Sequence, residues 1–171
     1  VEKMLELMIA TKAQFLDYQF VIAGVNNLSK EFYEKFLNEN ISVVFDQTYD
    51  LLSNAEAAMV TSGTATLETA LLNVPQVVCY KTSWISYQIA KSLIKVPYIS
   101  LVNLVGQKEV VKELIQDELT SENIAIEMKG LLLNSGKRKE QLLGYQLIRE
   151  SLGDVGASEK TGKRIVELLR K

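Results

Sequence analysis

Short apolar runs alternate with stretches of helical periodicity along the first two thirds of the chain. The runs FVIAG, ISVVF, AAMV, QVVCY and YISLV hold four or five residues each. Between them, helical patterns cover Ser29 to Leu37, Thr48 to Ala55, Thr64 to Leu72 and Ser83 to Ile94. Strands this short and apolar, separated by helices, predict a parallel sheet that is covered by helices on both faces.

Helices also dominate both ends of the chain. The first fifteen residues have helical spacing, and Ser29 is the expected N-cap of a helix whose inward face carries Phe32, Tyr33, Phe36 and Leu37. From Lys108 onward we expect helices over EVVKELIQDE, over SENIAIEMKGLLL with Ser121 as its N-cap, from Gly136 to Leu152, and after Ser158. The predicted fold class is therefore α/β, with a Rossmann-like parallel sheet of five strands flanked by helices and a helical C-terminal third.

Composition narrows the function classes. The chain has 171 residues, of which 47% are apolar and 23% charged, as expected for one globular domain with a real core. A net charge of −2 argues against nucleic acid as a partner, because no basic excess exists to neutralise phosphates. The absence of histidine and the single cysteine, Cys79, argue against a zinc site and an internal disulfide. One cysteine suits a reducing compartment, and we expect the cytoplasm.

A doubly wound sheet normally opens with its central strand, whereas this chain opens with a helical pattern and without a methionine. We therefore expect residues 1–171 to be a single Rossmann-like domain cut from a longer protein, with its first strand outside the chain. That strand would lie between FVIAG and AAMV. Unpaired backbone groups in a core cost about 1–3 kcal/mol each, so we expect the gap to be closed, either by direct pairing of these two runs or by a strand from another chain.

The stretch SGTATLE lies where chemistry is expected in such a sheet, at the carboxyl end of a strand and the start of a helix. Gly63 allows a close backbone approach to a ligand, and the helix N-terminus offers unpaired N–H groups to an anion such as a diphosphate. Hydroxyls of Ser62, Thr64 and Thr66 add donors, and Glu68 suits the vicinal hydroxyls of a ribose. The alternative is an ordinary helix cap, with Glu68 complementing the helix dipole.

The segments SGTATLETALLNVPQVVCYK and YISLVNLVGQKEVVKELIQDE together resemble the C-terminal half of the lipid-A-disaccharide synthase family. The similarity covers roughly Phe20 to Glu118, and the order and spacing of these motifs make it specific. Members of this family have a two-domain GT-B glycosyltransferase fold, in which two Rossmann-like halves face each other across a cleft.

The resemblance implies a transferase that joins UDP-2,3-diacylglucosamine to 2,3-diacylglucosamine 1-phosphate, giving lipid A disaccharide 1-phosphate and UDP. Inversion at the donor sugar needs a general base but no metal and no cofactor in this family. The base is expected in the N-terminal acceptor domain, so no catalytic residue is assigned in this chain. We expect it to be inactive alone and to bind the UDP-sugar donor.

The donor site that this resemblance implies extends beyond SGTATLE. We expect the UDP-sugar at Ser62, Gly63, Thr64, Ala65, Thr66, Glu68, Asn103, Lys108, Gly24 and Lys81. Gly24 would admit the uracil ring or simply form a turn, and Lys81 would reach the diphosphate or stay solvated. Two departures from the family pattern bear on this site: Val102 replaces a proline, and Lys108 replaces an arginine, which loses bidentate phosphate geometry. A glycine–serine–arginine loop of the family is also absent from the chain.

The resemblance further implies peripheral contact of the whole protein with the inner membrane, a lipid acceptor bound by the other domain, and compatibility with a homodimer. The basic run Lys137, Arg138 and Lys139 is interpreted as a solvated face, with contact to anionic lipid as the alternative. Two other functions remain open. One is a different GT-B enzyme, either UDP-N-acetylglucosamine 2-epimerase or a peptidoglycan-precursor glycosyltransferase. The other is a non-catalytic α/β module that binds a partner protein.

Overall fold

The computed structural model describes residues 2–83, 87, 97–153 and 157–169. These residues form parallel strands interleaved with helices, which confirms the predicted α/β class. The strands are β1 (Phe20–Gly24), β2 (Ile41–Phe45), β3 (Ala58–Thr61), β4 (Gln76–Tyr80) and β5 (Glu113–Ile115). The first four coincide, within a residue, with the apolar runs FVIAG, ISVVF, AAMV and QVVCY.

Helices connect and cover the strands. The chain starts with α1 (Glu2–Ala10), which continues as a 3₁₀ turn over Thr11–Gln14. A second 3₁₀ turn covers Gln116–Glu118. The remaining described helices are α2 (Lys30–Glu34), α3 (Thr48–Ser53), α4 (Thr64–Leu71), α5 (Leu101–Gly106), α6 (Ser121–Leu133), α7 (Ser135–Leu152) and α8 (Ala157–Leu169). The helix expected from Ser83 to Ile94 lies largely outside the described residues.

The described strands form two parallel sheets. β1 pairs with β2, with Phe20 opposite Ile41 and Gly24 opposite Phe45. β4 is the central strand of the other sheet, which has the order β3-β4-β5. Val77 and Cys79 of β4 face a core cluster that includes residues of α1 and α6, whereas Val78 faces a second cluster formed with α4, α5 and α7. This sheet is therefore buried on both faces, which explains why β4 reads as a continuous apolar run.

The predicted strand YISLV is wrong. Ser100 caps a helix instead, by accepting a hydrogen bond from the backbone N–H of Asn103, and α5 follows from Leu101. The fifth strand is β5, which lies inside the segment EVVKELIQDE that we expected to be helical. The physical reason is a buried polar network around Glu113, described below.

The expected helix caps and the expected inward face of α2 are confirmed only in part. Ser29 does cap α2, by accepting a hydrogen bond from the N–H of Phe32. Thr120, rather than Ser121, caps α6 and bonds the N–H of Asn123. Tyr33 is buried as predicted, but Leu37 is 37% exposed, because α2 ends at Glu34 before reaching it.

The predicted direct pairing of FVIAG with AAMV is also wrong, because β1 and β3 belong to different sheets. Side chains connect the sheets instead. Phe20 of β1 and Met59 of β3 both pack against the cluster that contains Met4, Phe15 and Val77. The other expectation, a strand supplied by another chain, stays a prediction. Among the described helices, none is long and apolar enough to cross a membrane.

Candidate functional site

The turn between β3 and α4 has a backbone that favours glycine. Gly63 is the N-cap of α4 and adopts φ 141° and ψ −162°, a region that residues with a Cβ rarely enter. A Cβ built on Gly63 would meet no atom within 4 Å, so the space beside this backbone is open. The glycine is therefore required by the backbone conformation, and it leaves room for a ligand to approach the helix end.

The N-terminus of α4 has no side-chain cap. Within the described residues, no acceptor bonds the backbone N–H groups of Thr64 and Ala65, which are the first two residues of the helix. Four other described helices differ, because side chains of Ser29, Ser100, Thr120 and Asn134 cap α2, α5, α6 and α7. Only the short helix α3, with Gln47 as its N-cap, shares the lack of a side-chain cap among the described helices whose N-cap is defined. The end of α4 therefore presents donors and about half a positive charge to whatever lies beyond it.

Two of the three hydroxyls expected to serve a ligand donate within the protein. Ser62 Oγ donates to the carbonyl of Ile99 at 3.0 Å, and Thr66 Oγ1, which is buried, donates to the carbonyl of Gly63 at 2.8 Å. The hydroxyl of exposed Thr64 has no partner among the described residues. These bonds hold the turn in shape, so the donors available to a ligand are chiefly backbone N–H groups and Thr64.

Glu68 is half-buried and lies in the second turn of α4, whose first turn contains no acidic residue. A carboxylate stabilises a helix dipole mainly from the first turn, because the effect falls off within that turn. The interpretation of Glu68 as a dipole residue therefore loses its geometric basis. The position remains suited to accepting hydrogen bonds from hydroxyls of a molecule bound at the helix end.

The structure places Asn103 away from the rim where a strand YISLV would have put it. Asn103 lies in α5, is fully buried, and uses both ends of its amide within the protein. Its Nδ2 donates to the carbonyl of Val111 and to Glu113, while its Oδ1 accepts from the backbone N–H groups of Val110 and Val111. Its hydrogen-bonding capacity is used internally, which corrects our expectation that this side chain faces the donor.

Glu113 is a polar residue of this region that the sequence interpretation missed. Glu113 is buried, with only 8% of the residue exposed. It accepts hydrogen bonds from the backbone N–H groups of Ile99 and Ser100, from Ser100 Oγ and from Asn103 Nδ2, at 2.6–3.0 Å. The only local signal was that Glu113 lies, together with Lys112, between the apolar pairs Val110–Val111 and Leu114–Ile115.

Lys81 follows β4 at the same edge of the sheet as Ser62. Thr61 of β3 is in register with Cys79 of β4. Ser62 and Lys81 therefore follow the ends of two paired strands that are about 4.8 Å apart. The neighbouring Thr82 is held by Gln116, whose side chain bonds both the N–H and the carbonyl of Thr82. Gln116 itself adopts a left-handed backbone, with φ 53°. Lys81 and the SGTAT turn therefore follow neighbouring strands at the same edge of the sheet, and Gln116 holds the residue after Lys81.

Lys108 lies elsewhere. Helix α5 starts near Ser62, because the carbonyl of Ile99, just before the helix, accepts the hydrogen bond from Ser62 Oγ. From there the helix leads to the segment that precedes β5. Lys108 follows the end of this helix and is exposed, lining a shallow pocket with residues of α7 such as Gly144 and Leu147. It therefore lies toward the amino ends of the strands, which corrects its expected place in the donor site.

Gly24 ends β1, in the other sheet, and has a packing role. A Cβ on Gly24 would lie 2.6 Å from the ring of Phe45, its register partner on β2, and 2.9 Å from Val43. The absence of a side chain is thus explained by the aromatic ring beside it.

The basic run on α7 is partly neutralised. Lys137 pairs with Glu127, and Arg138 donates to the carbonyl of Glu56 and lies near its carboxylate. Only Lys139 of the three lacks an ion pair within the described part of the chain. Among those same residues, no group of three histidine, cysteine or acidic side chains is placed to hold a metal ion.

Comparison with known proteins agrees with the resemblance in the motifs. The family model described as lipid-A-disaccharide synthetase matches residues 1–164. A lipid-A-disaccharide synthase of Anaeromyxobacter dehalogenans is 33% identical over 98% of this chain. Those of Syntrophus aciditrophicus and Gloeothece citriformis are 38% and 42% identical over 90% and 74% of this chain, respectively.

The chain spans less than half the length of these curated relatives, covering 45%, 41% and 33% of them in the same order. The family match nevertheless extends over nearly all of the chain, and the alignments include the SGTATLE turn, β4 and the segment around Asn103. The chain belongs to the lipid-A-disaccharide synthetase family.

Proposed function

We propose that this chain is the UDP-donor-binding half of a glycosyltransferase of lipid A biosynthesis, and that residues 1–171 form one nucleotide-sugar-binding domain. The reaction joins UDP-2,3-diacylglucosamine to 2,3-diacylglucosamine 1-phosphate and releases UDP. Family membership supports the reaction, and the uncapped N-terminus of α4 supports the placement of the donor. That helix end is the single observation that carries the proposal.

The chemistry of a UDP donor matches what this site offers. A diphosphate is an anion with many acceptor oxygens, and the N–H groups of Thr64 and Ala65 are donors at a positive helix end. Gly63 allows the phosphate to approach the backbone, and Thr64 adds a hydroxyl. Lys81, at the adjacent strand end, supplies a positive charge within reach of the same anion.

Glu68 completes the donor site on the side of the ribose. About one helical turn separates it from Thr64, so the two Cα atoms lie about 6 Å apart along the helix axis. A carboxylate that accepts from both vicinal hydroxyls of a ribose orients the nucleoside relative to its diphosphate. Thr66 serves this site indirectly, because its hydroxyl bonds the carbonyl of Gly63 and holds the turn.

The same helix end assists the reaction step. When the 6-hydroxyl of the acceptor attacks the anomeric carbon of the donor, the bond to UDP breaks and negative charge grows on the leaving diphosphate. Oriented N–H groups that face this charge stabilise the transition state more than the ground state. No residue of this chain is assigned as the general base, so transfer requires the rest of the protein.

The whole enzyme is proposed to work in the cytoplasm at the inner membrane, since its substrates carry acyl chains. Lys139 and the exposed leucines of α7 are candidates for that contact, because they lie on the solvent side of the helix. A homodimer is compatible with this arrangement.

Isothermal titration calorimetry with UDP tests the proposal. We expect saturable 1:1 binding, and in Glu68→Ala a loss of about 10–150-fold, corresponding to the roughly 1.5–3 kcal/mol of a hydrogen bond to a charged group. Glu122→Ala is the matched control: Glu122 lies in the first turn of α6, so it removes a helix-end carboxylate without touching the site.

Donor preference separates the alternatives. UDP-2,3-diacylglucosamine should compete with UDP more strongly than UDP-N-acetylglucosamine does. The reverse preference would favour an epimerase or a peptidoglycan-precursor transferase, and absence of saturable UDP binding would favour a non-catalytic module. Equal UDP affinity of Glu68→Ala and wild type, with an unchanged melting temperature, would remove Glu68 from the site.

A further inference from the structure

Glu113 is a buried carboxylate whose four recorded partners all donate to it. Its Oε1 accepts from Ser100 N–H at 2.9 Å, from Ser100 Oγ at 2.6 Å and from Asn103 Nδ2 at 2.9 Å, and its Oε2 accepts from Ile99 N–H at 3.0 Å. No lysine or arginine lies among these partners. The carboxylate is therefore stabilised by hydrogen bonds from the start of α5 and from the loop before it.

Ile99 connects this network to the turn before α4. Its N–H donates to Glu113, and its carbonyl accepts the hydroxyl proton of Ser62 at 3.0 Å. One residue thus bonds to the carboxylate on one side and to the SGTAT turn on the other. Ser62 directly follows β3, and Glu113 is the first residue of β5. Strand β4 lies between these two strands in the sheet.

We propose that Glu113 is a positioning residue for the turn Ser62–Thr66. It holds Ile99 in place, and Ile99 in turn fixes Ser62, so that the N–H groups at the start of α4 point in a single direction. Glu113 does not itself contact a ligand of the turn. The consequence for UDP affinity rests on the proposed function, whereas the consequence for the turn does not.

A carboxylate is needed because every partner is a donor. Glutamine has nearly the same shape but offers one oxygen, and its NH₂ group would face another donor. Glu113→Gln therefore removes the hydrogen bonds to one of the two carboxylate oxygens while keeping the side-chain volume. Glu118→Gln is the matched control, since Glu118 is exposed and lies five residues along the chain.

Amide hydrogen exchange of the unliganded chain tests the positioning directly. In Glu113→Gln we expect the amide of Thr66, which bonds the carbonyl of Gly63, to exchange about tenfold faster or more, as for the loss of one hydrogen bond to a charged group, with residues 41–45 of β2 unchanged. Glu118→Gln should match wild type. Faster exchange confined to residues 99–103 would overturn the proposal.

Ser62→Ala provides a second test should Glu113→Gln unfold. This substitution removes the hydroxyl that bonds Ile99, so the amide of Thr66 should exchange faster while residues 100–103 keep their protection. Unchanged exchange at Thr66 would show that the link through Ile99 does not hold the turn, and would overturn the proposal.

A double-mutant cycle adds the ligand. UDP binding should weaken about tenfold in Glu113→Gln, and the double variant with Ser62→Ala should be no weaker than the more affected single variant, because both changes break one chain of contacts. Multiplicative losses would contradict the proposal. If wild type binds no UDP, the proposed function fails, and the exchange experiments still decide the role of Glu113.

Discussion

The side-chain amide of Gln141 hydrogen-bonds to both backbone groups of Gln76. Its Oε1 accepts from the N–H of Gln76 at 2.8 Å, and its Nε2 donates to the carbonyl at 3.0 Å, so α7 is attached to the first residue of β4. The side chain of Gln76 continues the network by donating to the carbonyl of Thr66 and to the hydroxyl of Tyr145. The C-terminal helix α7 thereby supports the helix that carries the candidate donor site.

Replacing Gln141 should destabilise the chain strongly. Gln141→Leu leaves the N–H and carbonyl of Gln76 without these partners in a site that is fully buried, and each unsatisfied group costs about 1–3 kcal/mol. We expect the free energy of unfolding in urea to fall by about 2–5 kcal/mol. Gln146→Leu is the control, because Gln146 is exposed and its side chain, within the described residues, bonds only the neighbouring exposed Glu150. Equal effects of the two substitutions would contradict the importance of the network.

Gly144 is expected to be required by packing, in contrast to Gly162. A Cβ at Gly144 would lie 2.5 Å from the side chain of Val110, whereas one at Gly162 meets nothing within 4 Å. Gly144→Ala should lower the midpoint of thermal unfolding, because overpacking costs about 1–3 kcal/mol and exceeds the gain in helix propensity. Gly162→Ala should be neutral or stabilising. A stabilising Gly144→Ala would show that α7 does not approach Val110 this closely.

The thiol of Cys79 should be unreactive and should link stability to alkaline pH. Burial raises its pKa from 9.0 to about 12. The neutral thiol therefore contributes stability that is fully present below pH 9 and is lost as the pH rises toward 12, because the unfolded state ionises first. Relative to Cys79→Ala, wild type should lose about 1.4 kcal/mol of unfolding free energy between pH 8 and pH 10. A thiol reagent that labels the native protein rapidly at pH 8 would contradict this burial.

Alanine substitutions at Gly63 and Gly153 distinguish the effect of backbone strain on stability from an effect on ligand binding. Both have positive φ and an open space at the Cβ position, so alanine at either should cost about 1–3 kcal/mol of stability through strain alone. Gly63 lies in the candidate site, whereas Gly153 ends α7. We expect Gly63→Ala to weaken UDP binding and Gly153→Ala to leave it unchanged, as measured by calorimetry at a temperature where both variants are folded. Equal UDP affinities would place the ligand away from Gly63.

Local signals in the sequence were sufficient for most of the sheet. The strands β1 to β4 are short apolar runs bounded by turn residues, and the helices between them have clear periodicity. The turn SGTATLE was also predictable, because a glycine with small hydroxyl residues is typical of the connection between a strand and a helix. The backbone conformation of Gly63 agrees with that interpretation.

The two misassigned elements, YISLV and EVVKELIQDE, have one physical source of error, which is long-range contact with Glu113. YISLV has the composition of a strand, but Ser100 and Asn103 are bound by Glu113, and this favours a helix. EVVKELIQDE has the composition of a helix, but pairing of Glu113 with Val78 makes it a strand. Propensity is a weak preference that such contacts override. The places of Asn103 and Lys108 depended on these two elements and were wrong for the same reason.

The central claim is that UDP binds at the N-terminus of α4, and amide NMR of the ¹⁵N-labelled protein during a UDP titration tests it most directly. The account predicts saturable shifts that are largest for the N–H groups of Gly63, Thr64 and Ala65, since they face the diphosphate. Amides of α6 should not move. Shifts that are absent at saturating UDP, or that concentrate away from residues 62–68, would contradict the claim.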